Sequence, residues 1–157
     1  MESILKHISG RVWLILAAVA LGGMLICSCE SAFPNDKLDN FWRLERMEFA
    51  GGTDLLGQPA NSVDAQGIYF GMARNIIQIE NHARSFDVYG VFAETADSIR
   101  FDFTESRIKG VHDADYIQSN LLHCGVDSLV CTFRVESLTS SRLVLSTGKV
   151  RLSFEKW

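Results

Sequence analysis

Ile99-Arg100-Phe101-Asp102-Phe103 alternates apolar and charged residues without a break. Successive side chains of an extended strand point to opposite faces, so this pattern describes a strand with one buried and one wet face. The same period returns in Cys131-Thr-Phe-Arg-Val135 and in Val150-Arg-Leu-Ser-Phe-Glu155, with Leu143 and Leu145 between them. The chain is therefore read as mainly antiparallel sheet.

Four earlier segments, 41–49, 67–73, 75–80 and 85–92, complete a set of eight strands. In the first, Trp42 and Leu44 share one parity while Met47 and Phe49 share the other. A bulge at Glu45-Arg46 restores a single buried face. Connections are short and turn-rich: Ala96-Asp97, segment 137–141 and Thr147-Gly148-Lys149, the last a tight hairpin candidate. Short links make neighbours antiparallel. Segment 113–124 breaks the rule and places Tyr116, Ile117, Asn120, Leu121 and Cys124 at helical spacing. Asp113 or Asp115 is the candidate N-cap and Gly125 the candidate stop. The expected fold is all-β: an up-and-down barrel of about eight strands, closed to remove its edges, with one short helix before the last three strands.

The N-terminus has another character. Lys6 and Arg11 precede an apolar run over 12–26, then Ile26-Cys27-Ser28-Cys29. This layout resembles a bacterial lipoprotein signal peptide, with Ser28 as the small residue before the lipidated Cys29. Ile26 before Cys27 is too large for that role. The run is 15 residues long, short of the roughly twenty needed to span a bilayer as a helix. The expected organisation is a signal peptide over 1–28, a lipidated tether over 29–39 carrying Pro34, and a barrel domain over 40–157. Glu30, rather than Asp, beside Cys29 points to the outer membrane, periplasmic or surface side open. The expected partner of Cys29 is the membrane itself, through the lipid.

Removal of 1–28 takes away Lys6, Arg11 and Glu2 and leaves 13 basic and 18 acidic residues, a net charge of −5. The charges are interspersed, so nucleic-acid binding has no electrostatic footprint. Cys124 and Cys131 then remain in an oxidising compartment, separated by Gly125 and Asp127-Ser128. A disulfide across that turn and two separate buried thiols are both open readings.

No constellation carries chemistry. His112, Asp113, Asp115 and His123 with Cys124 cluster in sequence, but eleven residues separate the histidines and no helical ligand pair results; they read as a solvated helix face, and no metal or cofactor is expected. Gly-x-Ser-x-Gly is absent. Asp102, Glu105, Asp113 and Asp115 are the carboxylates for a glycosidase pair, but they read as outward strand and loop positions. Gly67-Ile-Tyr-Phe-Gly71 and Gly51-Gly52 read as turns or bulges rather than phosphate loops.

From residue 40 to 157 the chain resembles the lipocalin-like lipoproteins of Bacteroidetes-type bacteria. The resemblance rests on Phe41-Trp42-Arg43-Leu44 opening the first strand, on Asp97-Ser-Ile-Arg-Phe-Asp-Phe103, and on an ending with Leu138-Thr, Arg142-Leu-Val-Leu and Arg151-Leu-Ser-Phe-Glu-Lys. Lipocalins place a Gly two residues before that Trp; here position 40 is Asn. They also pack a late Arg over the Trp ring. Arg151 is the candidate, although its parity opposes Val150 and Leu152. The resemblance implies a β-barrel and no activity.

Trp42, Phe49, Tyr69, Phe70, Phe86, Tyr89, Phe92, Phe101, Phe103, Phe133 and Phe154 are expected on the inner face of that barrel. They either fill it or line a small apolar cavity, with Trp42, Phe70, Phe86, Phe101, Phe103 and Phe133 as candidate walls. Segment 50–66, with Gly51, Gly52, Gly57, Pro59 and Asn61, is the candidate lid or rim. Two functions follow: an envelope lipoprotein binding a small apolar or amphipathic ligand inside the barrel, or a non-catalytic interaction protein with a filled barrel and a protein or glycan partner. Oligomeric state is open.

Overall fold

The computed structural model describes residues 37–110 and 112–157. The expected signal peptide, Cys29 and the tether as far as residue 36 lie outside the described residues.

Among the described residues nine strands and one α-helix follow in order, with a 3-10 turn at His82–Arg84: β1 (Asn40–Phe49), β2 (Ser62–Asp64), β3 (Ile68–Ala73), β4 (Ile76–Asn81), β5 (Phe86–Glu94), β6 (Ser98–Asp102), α1 (Ala114–Leu122), β7 (Val130–Leu138), β8 (Arg142–Ser146) and β9 (Val150–Lys156). Every strand pairs antiparallel with its neighbours, in the order β2-β1-β3-β4-β5-β6-β7-β8-β9, and β9 returns to β1. The closing seam runs from Trp42 opposite Lys156 to Phe49 opposite Val150. Eight strands make the barrel. The short β2 is an addition, laid along Arg46–Glu48 of β1 where β3 has already left. The expected eight-stranded barrel, with one helix before the last three strands, is the fold observed.

The bulge falls where the parity change required it. Register along the β1–β9 seam shifts between Leu44 and Arg46, and Trp42, Leu44, Met47 and Phe49 are all buried. Helix α1 starts on Asp113, whose side chain accepts from the Tyr116 N–H at 2.9 Å. It ends where the Val126 N–H reaches back to the Leu121 carbonyl at 3.0 Å, with Gly125 at φ +82° between them. Ile117 and Leu121 drop from α1 into the core.

Segment 50–66 is more ordered than a bare loop. It holds β2 and a bridge between Thr53 and Pro59, and Ala60 N–H donates to the Gly52 carbonyl at 2.9 Å. Leu55 and Ala60 pack against the core. Packing also begins earlier than residue 40. Leu38, expected in the tether, is buried, and its carbonyl accepts the Trp42 Nε1–H at 3.1 Å. That bond satisfies the one polar atom of an otherwise fully buried indole.

Candidate binding surface on the outer face of the barrel

The barrel interior is built from apolar parity positions, and its aromatic rings touch one another. Trp42, Phe70, Phe101, Phe103 and Phe133 are fully buried and Phe86 nearly so. Phe70 meets Phe154 edge-on at 4.9 Å between centroids, Phe101 meets Phe133 at 5.4 Å, and Phe101 meets Phe103 edge-on at 6.5 Å. These are the ordinary separations of packed aromatic pairs. The six candidate cavity walls are thus core residues, four of them in ring contact with another buried aromatic, and none of the six lines the grooves described below.

Two aromatics expected inside are outside. Tyr69 precedes Phe70 on β3, and neighbours on a strand face opposite ways; Phe70 is buried and Tyr69 is not. On β5, Phe86, Val88 and Phe92 point in, which turns Asp87, Tyr89 and Val91 out. Arg151 also points out. It bonds Glu136 and Glu48, both at 2.7 Å, and its guanidinium is spent there rather than over Trp42.

Cys124 and Cys131 are free thiols in this structure, so of the two open readings it has the separate buried thiols. Cys131 faces inward on β7 and donates to Asp127 Oδ1 at 3.2 Å; Cys124, at the end of α1, receives the Asn81 amide at 3.8 Å. Burial pushes the Cys124 thiol up to about 11. Burial, helped by the Asp127 carboxylate, pushes Cys131 up to about 12. Neither is a nucleophile near neutral pH.

Among the described residues no group of three His, Cys, Asp or Glu side chains converges on a common point that suits a metal. His112 and His123 have separate duties. His112 Nδ1 meets the Ser106 carbonyl at 2.8 Å, while His123 sits half-buried with its pKa lowered, chiefly by loss of solvent. The Ser106 hydroxyl donates to the Tyr89 carbonyl at 2.5 Å. It holds a loop against β5 instead of facing a base.

The sites that remain are on the outside. Ile76, Tyr89 and Val91 are 51%, 52% and 50% exposed, and they form one patch: Ile76 pairs with Val91 across β4–β5, and Tyr89 stands two residues back on the same face. Beside the patch lies a groove of about 450 Å³, rimmed by Asp102, Thr104, Glu105 and Ser106. Asp102 pairs with Val91 across β5–β6. Hydrogen bonds from the Thr104 hydroxyl and N–H, then the Arg100 guanidinium, hold its carboxyl below the usual range, so Asp102 stays ionised and paired with Arg100, and Glu105 is the second carboxylate of the rim. The patch has no catalytic group; it offers apolar area with an acidic border. Its outward parity is readable in Phe86-Asp-Val-Tyr-Gly-Val-Phe92, but the part from Ile76 depends on strand register.

The comparisons with known proteins agree with this architecture. The model of the lipocalin-like domain matches residues 24–157. The chain belongs to the lipocalin-like domain family. A lipocalin-like protein from Bacteroides uniformis superimposes with a TM-score of 0.56 at 18% identity, covering 77% of this chain and 99% of the other. An uncharacterised protein from Bacteroides eggerthii does so with a TM-score of 0.51 at 19% identity, covering 75% and 98%. At these identities the likeness concerns the fold. No curated protein matches this lipocalin-like chain.

Proposed function

We propose that this lipocalin-like protein is a non-catalytic envelope lipoprotein, held at the outer membrane by lipid on Cys29, that binds a protein partner on the outer face of β4–β6. The observation that carries the reading is the half-exposed Ile76–Tyr89–Val91 patch beside its acid-rimmed groove. Exposed apolar area with a polar border is the usual form of an interaction site, and tyrosine is enriched at interface centres. The acidic rim favours a partner segment with basic residues flanking an apolar centre. The reading of a small apolar or amphipathic ligand inside the barrel has less support, because the rings that would line the cavity lie on one another.

Crosslinking in intact cells tests the proposal. The wild-type chain is expected to yield a heteromeric adduct that is lost in an Ile76→Lys/Val91→Lys double variant and kept in an Arg142→Lys control on β8. Recovery of adducts only with itself, or an adduct untouched by the double variant, overturns it.

A further inference from the structure

A second outer surface, on β1, β3 and β9, carries different chemistry. Trp157 is 64% exposed, yet it is held in place. Its N–H donates to the Phe41 carbonyl at 2.8 Å, its ring meets Tyr69 edge-on at 5.4 Å, and the Arg43 guanidinium lies 5.0 Å from its centroid. Tyr69 in turn stacks on Phe41 at 5.5 Å and 13°. Phe41 can lie flat because the residue below it is glycine: a Cβ at Gly71 would stand 2.9 Å from Phe41 Cδ2. An exposed indole braced in this way loses little freedom when something settles on it.

A groove of about 620 Å³ opens beside the ring, with Arg43, Glu45, Arg46, Asp64 and Tyr69 among its walls. That size falls within the range of small-molecule sites. Each of its two guanidinium groups meets two carboxylates, Arg43 with Glu45 and Glu155 and Arg46 with Asp64 and Glu48. Carboxylates outnumber the guanidinium groups, so the surface has no pull on an anionic polymer or lipid head group. What remains is a high density of planar donors and acceptors beside an apolar ring face. A guanidinium donates only and a carboxylate accepts only, so the pair can bridge adjacent hydroxyls, which do both. We propose that this surface binds a neutral oligosaccharide, with the C–H face of one sugar ring on Trp157 and its hydroxyls on the Arg43–Glu45 side of the groove.

The test uses the full lipoprotein in mild detergent, with an array of neutral gluco-, manno-, galacto- and N-acetylglucosamine trisaccharides and their sulfated or uronic counterparts. Hits are titrated and then examined by saturation-transfer NMR. The expected result is binding of a neutral trisaccharide that persists at high salt, with saturation strongest on the C–H protons of one ring face. Trp157→Ala should weaken it about tenfold, the scale of one aromatic contact, and Trp157→Phe should restore most of it. Circular dichroism and the melting temperature of each variant separate lost binding from lost fold. Absence of any neutral hit, binding unchanged in a folded Trp157→Ala variant, or binding only of anionic sugars that salt abolishes overturns the proposal.

Discussion

The Phe103 ring occupies the place that a side chain at Gly90 would take. A Cβ built on Gly90 stands 2.5 Å from Phe103 Cδ1 and 2.7 Å from the Asp102 carbonyl oxygen. Gly90 has inward parity on β5, between Val88 and Phe92. The glycine thus removes one inner side chain and the phenylalanine fills the gap, on the strand that carries the outer patch. Gly90→Ala should cost about 1–3 kcal/mol by overpacking, since the fixed carbonyl cannot yield as the ring can. Denaturant titration measures it, and a neutral result would mean that both the Phe103 ring and the Asp102 backbone can move aside.

The thiols give a second prediction. Cys124 and Cys131 are the cysteines among the described residues, both free and buried. At pH 8 the folded protein should react slowly with a water-soluble disulfide reagent, because burial holds the pKa values at about 11 and 12. Two thiols should titrate at once on denaturation. A protein that shows none until a reductant is added has a Cys124–Cys131 bridge.

A third prediction concerns acid. Asp127 accepts from Lys149 Nζ at 2.9 Å and from Cys131 Sγ at 3.2 Å. The Lys149 bond leads in holding its carboxyl below the usual range, against the burial that raises it. A depressed carboxylate stabilises the fold above its unfolded pKa of about 4, and that contribution fades as pH falls through the folded value. Asp127→Asn should lose about 1 kcal/mol at pH 7, a modest figure because the Lys149 head is exposed and screened. The variant should also show a shallower loss of stability below pH 4 than the parent. Parallel pH–stability curves would contradict the assignment.

The address is tested separately. Cys29→Ser should release the chain from the membrane fraction and abolish incorporation of a labelled fatty acid, while the barrel melts unchanged. Retention in the membrane with no acyl label would favour an uncleaved apolar anchor over 12–26.

These tests probe parts of the molecule that the sequence reveals unequally. Strict alternation in Ile99–Phe103 and Val150–Glu155 is enough to define strands, because a sheet face tolerates no slip in parity. The parity change at Glu45-Arg46 locates the bulge, and Asp113 with Gly125 brackets α1. β2 is not legible: Ser62-Val63-Asp64 has no apolar pattern, and it is a strand only because β1 offers a free edge at Arg46–Glu48. A count of aromatics puts Tyr69 inside, whereas parity puts it outside, since Phe70 beside it claims the inner face. The outer patch depends on Ile76 standing opposite Val91, a register that composition does not reveal. The turn residues between Cys124 and Cys131 suggest a pair, yet Asn81 and Asp127 engage them separately.

Recognition is proposed to take place on the outside of the barrel, whose inner aromatic rings pack on one another. Native mass spectrometry of the chain, extracted from its own membranes in mild detergent, tests it most directly. The expected result is the mass of the lipidated polypeptide, alone or with a protein partner that Val91→Lys removes. A stoichiometric apolar small molecule, retained in the Val91→Lys variant and released only on unfolding, would contradict it.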